Sequence, residues 1–294
     1  MSDDQRLRLN DGQVIPRLGL GVWKLSKSGA RMAVHHALRN GYRHIDTASI
    51  YANEEGVGQG IRDAGLPRDS LFVSTKIWNA DQGYDATLRA LEQSLARLQL
   101  SAVDLLLVHW PAAGLGRYID TWRALIEARV QGKARSIGVS NFNSDHLRAI
   151  VEATGVKPAL NQIELHPLHQ QAALCEVHTR LGIATQAWSP LSQGRAFNHP
   201  VVLGLAEKHW RTPAQIILRW HIQSGVLAIP KSITPARIEE NLQVFDFVLD
   251  AQDMAAIASM NTNQRLGPDP ALFTLPRGWS PGCELARRRA GKAG

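Results

Sequence analysis

The sequence predicts a single (β/α)8 barrel, because short β-rich runs alternate with amphipathic stretches of helical period from residue 17 onward. Eight such runs occur, at 18–20, 42–45, 72–75, 103–108, 134–139, 159–163, 183–187 and 226–229. Each connection is long enough for a crossover, so neighbouring strands should be parallel. Eight units in 294 residues without a break in composition favour a closed barrel over an open doubly wound sheet.

The segments between and around these runs supply the remaining elements. Asp11-Gly12 separates two alternating runs, which predicts a two-stranded hairpin that could close the bottom of the barrel. Apolar residues at helical spacing predict helices over 86–98 and 145–153. Extra helical patterns follow at 251–260 and at 214–222, the latter beside another at 201–208, so we expect two additional helices.

The chain after Asn261 is rich in glycine and proline and reads as a long surface loop. Loops of this length are either functional or disordered. We therefore expect one domain over residues 1–294, with a long and partly flexible loop and tail over 265–294.

The composition, with 44% hydrophobic and 20% charged residues, is that of a soluble globular protein. The N-terminus has no apolar signal region and no run approaches the roughly 18 residues of a membrane span, so we expect a cytoplasmic protein with no membrane partner. Cys175 and Cys283 lie far apart without metal-ligand spacing and should be free thiols. We expect a monomer.

A net charge of +7 indicates attraction to anions, which include nucleic acid, acidic substrates and phosphorylated cofactors. Part of the excess lies in the tail, at Arg287, Arg288, Arg289 and Lys292. No aromatic residues interleave with these cations, so a solvated end is favoured over a nucleic-acid arm.

Several common site motifs are absent. "GVGQG" at 56–60 has the wrong spacing for a dinucleotide fingerprint and should provide close-packing positions in a helix. "GVSNF" places Phe142 where a nucleophile elbow needs glycine. His166 and His169 have helical metal spacing, but Pro167 breaks the helix between them and no third ligand lies near, so no metal is expected.

Four polar residues follow three consecutive predicted strands, where a barrel of this type carries its chemistry. Asp46 ends the second strand with Tyr51 just beyond, Lys76 follows the third, and His109 follows the fourth. Singly, each has a structural explanation as a helix cap, an ion-pair partner, a packing ring or a core histidine. Together they need mutual pairing to offset their desolvation, which predicts an interacting cluster.

Such a cluster suits proton donation to a carbonyl oxygen. A phenol has a pKa of about 10, which an adjacent ammonium would lower. Lys76 is the candidate ammonium, Asp46 could hold its charge, and His109 could donate a hydrogen bond to the substrate oxygen. None of the four can supply a hydride, so a cofactor is implied.

The sequence resembles the aldo-keto reductases, NADPH-dependent (β/α)8 enzymes that reduce aldehydes and ketones. The motifs "GLGVW", "DTASIYANEEGVG", "STKIWN", "VDLLLVHWP", "IGVSNF", "NQIELHP", "WSPLSQG" and "IPKSITPARIEEN" carry the likeness over nearly the whole chain. The short loop after His109 resembles the bacterial branch that includes 2,5-diketo-gluconate reductases. The likeness implies Tyr51 as general acid, Lys76 and Asp46 as its tuning pair, and His109 as the carbonyl-orienting residue.

The same likeness implies an extended NADP site. Ser140, Asn141 and Gln162 would bind the nicotinamide carboxamide, with Trp188 stacked on the ring. A helix start with nearby cations favours a 2′-phosphate, hence NADP over NAD. The remaining cofactor residues implied are Gly21, Val22, Trp23, Asp46, Ser189, Leu191, Gly194, Lys231, Ser232, Arg237, Glu240 and Asn241.

Tryptophans beyond three strand ends should form an apolar pocket for a small carbonyl substrate. The substrate residues expected are Trp23, Ile50, Tyr51, Trp78, His109 and Trp110, with the tail containing Trp279 as another wall. Two alternatives stay open: a lyase that uses Lys76 as a Schiff-base nucleophile, and a protein that binds NADP without turnover.

Overall fold

A computed structural model describes residues 5–275 of the 294-residue chain. The expectations that concern Trp279, Cys283 and the basic residues of the tail lie outside the described residues. Within this described part, no helix combines the length and the apolar composition that a membrane crossing requires.

The centre of the fold is an eight-stranded parallel sheet in which the strands are hydrogen-bonded in chain order. Every strand overlaps a predicted one, with ends that differ by at most two residues. The strands are β3 (Leu20–Gly21), β4 (His44–Asp46), β5 (Phe72–Ile77), β6 (Val103–Val108), β7 (Ala134–Ser140), β8 (Leu160–Glu164), β9 (Ala184–Trp188) and β10 (Leu227–Ala228).

The two edges of this sheet approach each other. Parallel bridges join Leu18 to Ala228 and Gly21 to Lys231, and the Gly21 N–H donates to the Pro230 carbonyl oxygen at 3.0 Å. A β-carbon on Gly21 would stand 3.0 Å from the Ile229 carbonyl oxygen, so glycine permits this approach. The curled sheet is consistent with the (β/α)8 prediction.

The predicted hairpin precedes the sheet. β1 (Arg6–Arg8) pairs antiparallel with β2 (Val14–Pro16), and Gly12 in the turn has a φ of +88°. Leu9 and Ile15 pack in one buried cluster with side chains of the sheet, among them Leu105 and Leu227. The hairpin therefore covers apolar surface of the sheet.

Helices follow the strands as the pattern predicts, and those predicted from the sequence have ends within two residues of the observed ones. The helices are α1 (Lys27–Arg39), α2 (Glu54–Ala64), α3 (Tyr84–Leu98), α4 (Tyr118–Val130), α5 (Ser144–Thr154), α6 (Ala172–Leu181), α7 (Pro200–His209), α8 (Pro213–Gln223), α9 (Pro235–Leu242) and α10 (Ala251–Ala258). In the described range, α7 and α10 are additional to one helix per strand.

The sequence also explains where several helices begin. The Thr212 side chain accepts the Gln215 N–H while the Gln215 side chain accepts the Thr212 N–H, which is a capping box with proline at the first helical position. Asn143 caps α5 and Asp250 caps α10 in the same reciprocal way. These caps satisfy backbone donors that the first helical turn leaves unpaired.

The glycines of "GVGQG" lie in α2 at close contacts, as predicted. A β-carbon on Gly56 would stand 2.0 Å from the Lys27 carbonyl oxygen, and one on Gly58 would stand 2.3 Å from the Leu98 carbonyl oxygen. The glycines therefore let α2 pack directly against the backbones of α1 and α3.

Candidate active site

The four predicted catalytic residues lie together at the carboxyl ends of β4, β5 and β6, which we call the mouth. Asp46 is the last residue of β4, and Tyr51 ends the short 3-10 turn Ser49–Tyr51 that follows it. Lys76 lies within β5 and His109 follows β6 directly. Because these strands are adjacent and parallel, their ends meet at one edge of the sheet.

Lys76 and Asp46 form a buried ion pair at the base of the mouth. Lys76 Nζ donates to Asp46 Oδ2 at 2.5 Å and to the Thr47 carbonyl oxygen at 2.8 Å. The two side chains are 0% and 2% exposed. Burial lowers the pKa of Lys76, while the charge and hydrogen bond of Asp46, followed by the charge of Glu54, act to raise it.

The other oxygen of Asp46 is held from two strands. Ser74 Oγ of β5 donates to Asp46 Oδ1 at 3.0 Å, and Gln162 Nε2 of β8 donates to the same oxygen at 2.9 Å. Both carboxylate oxygens therefore accept hydrogen bonds. The carboxylate is held in one orientation, which fixes the lysine ammonium beneath Tyr51.

Tyr51 and His109 stand above this pair. Lys76 Nζ lies 5.2 Å from the centroid of the Tyr51 ring. The Tyr51 and His109 ring centroids are 5.8 Å apart in an edge-to-face arrangement. His109 also packs edge-to-face on Trp78 at 5.1 Å, which fixes the plane of the imidazole.

The expected lowering of the Tyr51 pKa is wrong for this structure. Burial first, and the negative charge of Asp46 second, raise the pKa of Tyr51 well above 10. Lys76 directs its two hydrogen bonds at Asp46 Oδ2 and the Thr47 carbonyl oxygen, so neither of these bonds is made to the phenol. Burial, followed by the charge of Lys76, holds the pKa of His109 well below 6.5, so its imidazole is neutral at neutral pH.

The four residues expected at the nicotinamide form a second connected group beside the first. Trp188 Nε1 donates to Asn141 Oδ1 at 2.8 Å, and Asn141 Nδ2 donates to Ser140 Oγ at 3.1 Å. Ser140 Oγ in turn donates to the Gln162 carbonyl oxygen at 2.8 Å. The Gln162 side chain links this group to Asp46.

The chemistry of this group fits a carboxamide. Both donors of the Gln162 side chain are used, by Asp46 Oδ1 at 2.9 Å and by Gln186 Oε1 at 2.7 Å. The Gln162 Oε1 and the second lone pair of Asn141 Oδ1 remain to accept from an amide NH2. The Trp188 ring is half-buried beside them and offers a face for stacking.

The loop after β9 adopts a tight and strained path. Ser189, Ser192, Gln193 and Gly194 all have positive φ, at 48°, 48°, 53° and 86°. Positive φ at three residues other than glycine is uncommon and occurs where the surroundings enforce it. This is the segment "SPLSQG", with Leu191 half-buried, which contains the cofactor residues Ser189, Leu191 and Gly194 implied by the family likeness.

The expected 2′-phosphate residues lie at and before the start of α9. Lys231 and Arg237 are exposed cations, and Ser232 Oγ accepts the Thr234 N–H at 3.1 Å. Helical spacing of three and four places Glu240 and Asn241 on the same side of α9 as Arg237. The Glu240 carboxylate accepts the Thr212 hydroxyl at 2.6 Å, which ties α9 to α8.

Gly21, Val22 and Trp23 lie at the end of β3. The backbone N–H of Gly21 donates to the Pro230 carbonyl oxygen and that of Val22 to the Asp46 carbonyl oxygen at 3.2 Å, so the sheet uses both donors. Trp23 is 38% exposed, with Lys24 Nζ 4.1 Å above its ring. Of these three residues, Trp23 is the one whose side chain is exposed at the end of β3.

Aromatic side chains also line the mouth. Trp78 and Trp110 are buried, and Ile50 is half-buried beside Tyr51. Phe273, from the chain after α10, packs on both tryptophans, with ring centroids 4.5 Å from Trp110 and 6.3 Å from Trp78. The apolar wall predicted from the tail is thus formed in the described residues by Phe273.

Sequence reasoning missed several residues of the site. Ser74 holds Asp46, Phe273 completes the aromatic wall, and buried Glu164 accepts hydrogen bonds from residues about one hundred positions later. Ser74 and Glu164 carry a local signal, because each is a polar residue two positions from a predicted site residue on the same face of a strand. Phe273 carries no such signal.

His166 and His169 lie close together after β8. Their backbones pair in a tight bridge and their ring centroids are 6.1 Å apart. Among residues 5–275 there is no group of three histidine, cysteine or carboxylate side chains placed to hold a metal ion.

Comparison with known proteins agrees with this geometry. Residues 17–262 match the Aldo/keto reductase family. The chain is 53% identical over 270 residues to an aldo-keto reductase of Mycolicibacterium smegmatis, covering 92% of this chain and 98% of that one. It is 49% identical over 273 residues to methylglyoxal reductase DkgA of Yersinia pestis, covering 92% and 98%.

A solved structure is similar to this chain in both fold and sequence. A mutant of Gox0644 in complex with NADPH has a TM-score of 0.89 and 48% identity, covering 92% of this chain and 98% of that chain. Family match, identity and fold agree over nearly the whole length. The chain belongs to the aldo/keto reductase family.

Proposed function

We propose that this protein reduces small aldehydes and α-dicarbonyls with NADPH, on a closed (β/α)8 barrel of the family type. The observation that carries the proposal is the hydrogen bond of 2.9 Å between Gln162 Nε2 and Asp46 Oδ1. This bond joins the group expected to hold the nicotinamide to the group that includes Tyr51. A carbonyl placed between them would meet a proton donor and a cofactor at once.

Tyr51 is the proposed proton donor. Its raised pKa keeps the phenol protonated at neutral pH, so the proton is present when a carbonyl binds. Neutral His109 can donate one hydrogen bond to the same carbonyl oxygen, and the Lys76 ammonium stabilises negative charge on the phenol oxygen as the proton leaves. The bound nicotinamide supplies the hydride.

The pocket geometry supports small substrates. Phe273 packs against Trp110 and Trp78 and adds apolar surface beside His109, which favours a small carbonyl substrate. The similarity to relatives named methylglyoxal reductases supports a small dicarbonyl as one such substrate.

The test is Tyr51→Phe, assayed by loss of NADPH absorbance with methylglyoxal. The substitution removes the donated proton and keeps the ring, so we expect activity to fall by about 10²- to 10⁴-fold with NADPH affinity preserved. Affinity is measured by quenching of tryptophan fluorescence. Activity equal to wild type in this variant would contradict the proposed role.

Arg237→Ala tests the cofactor preference. Loss of the guanidinium should weaken NADPH by about 1.5–3 kcal/mol and leave NADH nearly unchanged, because only NADPH carries the 2′-phosphate. Titration of both cofactors into wild type and variant measures the ratio. An unchanged ratio would show that the phosphate lies elsewhere.

The lyase alternative is not favoured by the position of Lys76. Its side chain is 0% exposed, makes two hydrogen bonds and lies beneath the Tyr51 ring, so a ketone cannot reach its nitrogen without displacing the tyrosine. Borohydride trapping of a carbonyl on Lys76 would reverse this conclusion. Turnover of any carbonyl would exclude the non-catalytic alternative.

We further propose a cytoplasmic monomer that acts on small molecules without a nucleic-acid partner. Among the large apolar side chains exposed within the described chain, Met32, Val130 and Trp210 lie on or directly after three different helices, α1, α4 and α7. Sedimentation of the purified protein measures the oligomeric state.

A further inference from the structure

The chain after α10 runs across the mouth along a defined path, and we call residues 261–274 the strap. Its beginning is fastened to the loop after β8, where the Thr262 and Gln264 N–H groups donate to the Leu168 carbonyl oxygen at 3.2 and 3.0 Å. Its far end carries Phe273, which packs on Trp110. The strap therefore brings one aromatic wall of the proposed substrate pocket from the β8 side of the fold.

Glu164 fastens the middle of the strap. It is the last residue of β8, and its side chain is 0% exposed. One carboxylate oxygen accepts the Leu266 N–H together with His166 Nε2, and the other accepts the Gly267 N–H at 2.9 Å. A single buried carboxylate thus binds two consecutive backbone donors of the strap.

The point of attachment also touches the proposed cofactor platform. A β-carbon on Gly267 would stand 2.6 Å from Cη2 of Trp188 and 3.2 Å from Glu164 Oε2. Gly267 has no positive φ to explain the glycine, so the close approach to the indole explains it. The strap lies directly on the ring that faces the nicotinamide site.

The charge of Glu164 is suited to this role. Burial acts to raise its pKa, but the hydrogen bonds from His166, Leu266 and Gly267 outweigh burial and hold the pKa below its ordinary value. The carboxylate is therefore ionised at neutral pH. Hydrogen bonds from backbone N–H groups to an ionised acceptor are about twice as strong as those to a neutral one.

We infer that Glu164 is a positioning residue that latches the strap over the mouth, so that Phe273 forms the substrate wall. The inference rests on the proposed carbonyl reduction for its kinetic consequence, but the latch itself is a structural property. Glu164 acts through Phe273 and does not touch the reacting atoms. It therefore governs the fit of substrates large enough to reach Phe273.

The direct test is hydrogen exchange of the strap in Glu164→Gln. The amide keeps the shape but replaces one acceptor oxygen by a donor, so at least one strap N–H loses its partner. We expect exchange of the Leu266 and Gly267 amides to accelerate by about 10- to 100-fold. Unchanged protection of these two amides would overturn the inference.

The matched control is Asp104→Asn, a buried carboxylate near the start of β6. Asp104 accepts the Val73 N–H at 2.8 Å and pairs with Arg68 at 2.7 Å, but contacts neither the strap nor the mouth. This variant should be less stable than wild type, but hydrogen exchange of the strap amides should be unchanged. If strap amides exchange equally faster in both variants, the cause is a general loss of stability. That result would overturn the inference that Glu164 holds the strap.

A double-mutant cycle tests whether Glu164 affects KM by positioning Phe273 or only by stabilising the fold. With a bulky aromatic aldehyde, Glu164→Gln and Phe273→Ala should each raise KM about 10-fold or more, and the double variant should be no worse than Phe273→Ala alone. NADPH affinity is measured alongside. Additive effects, or a loss confined to NADPH binding, would contradict action through Phe273.

Gly267→Ala provides a second route if Glu164→Gln does not fold. Its β-carbon would collide with Trp188 and lift the strap while Glu164 stays intact, so the same exchange and KM changes are expected. If wild type reduces no carbonyl, the proposed function fails, and the exchange measurements still decide whether the latch exists. Normal strap exchange and normal KM in Gly267→Ala would overturn the inference.

Discussion

The pair of Lys76 and Asp46 should stabilise the fold and support catalysis in separable ways, and Lys76→Met tests both. The two side chains are almost completely buried and 2.5 Å apart. Methionine removes the ammonium and leaves a buried carboxylate that still accepts from Ser74 and Gln162. The loss of one partner of a buried ion pair costs about 3–5 kcal/mol.

For a domain of this size, that cost lowers the melting temperature by roughly 6–10 °C, at about 2 °C per kcal/mol. We expect the rate of carbonyl reduction to fall by about 10²- to 10³-fold. The variant lacks the Lys76 ammonium, which would stabilise negative charge on the Tyr51 oxygen as the proton leaves. Circular dichroism on heating and NADPH oxidation measure the two effects separately.

The double variant Asp46→Asn/Lys76→Met makes the test sharp. It removes both charges and keeps an oxygen at residue 46 for Ser74 and Gln162 to donate to, so it should recover most of the lost stability while remaining inactive. If the double variant is as unstable as the sum of the single variants, the two charges are not coupled. That result would refute the electrostatic reasoning for the site.

Two further predictions follow from the pKa directions and the helix packing. Because reduction needs protonated Tyr51 and neutral His109, and their pKa values are shifted upward and downward, kcat/KM should be flat between about pH 6 and pH 8. A fall in kcat/KM above about pH 7 that disappears in a Tyr51 variant would contradict this prediction. It would show instead that the Tyr51 pKa is lowered, as expected from the sequence. Gly58→Ala should destabilise the protein by about 1–3 kcal/mol in urea unfolding, because its β-carbon meets a backbone carbonyl at 2.3 Å. The matched control is Gly204→Ala, where no atom lies within 4 Å of the added β-carbon, and it should stabilise the protein by about 0.5–1 kcal/mol. Equal changes in the free energy of unfolding for the two variants would contradict the packing argument.

The sequence could predict those site residues whose location follows from their position along a strand. Asp46 ends β4, Lys76 is the second-to-last residue of β5 rather than the residue after it, and His109 follows β6, so all three lie where the carboxyl ends of parallel strands meet. The direction of the Tyr51 pKa shift was not predictable, since it depends on how deeply the phenol is buried and on how near the Asp46 charge lies, which only the tertiary structure decides.

The sequence by itself determined the alternation of strands and helices, the hairpin and the polar residues at strand ends, because these depend on local periodicity and side-chain type. Only the tertiary structure decided that Glu164 meets Gly267 and that Phe273 packs on Trp110. Such contacts join residues more than one hundred positions apart. They depend on the path of the strap across the mouth, which no local pattern encodes.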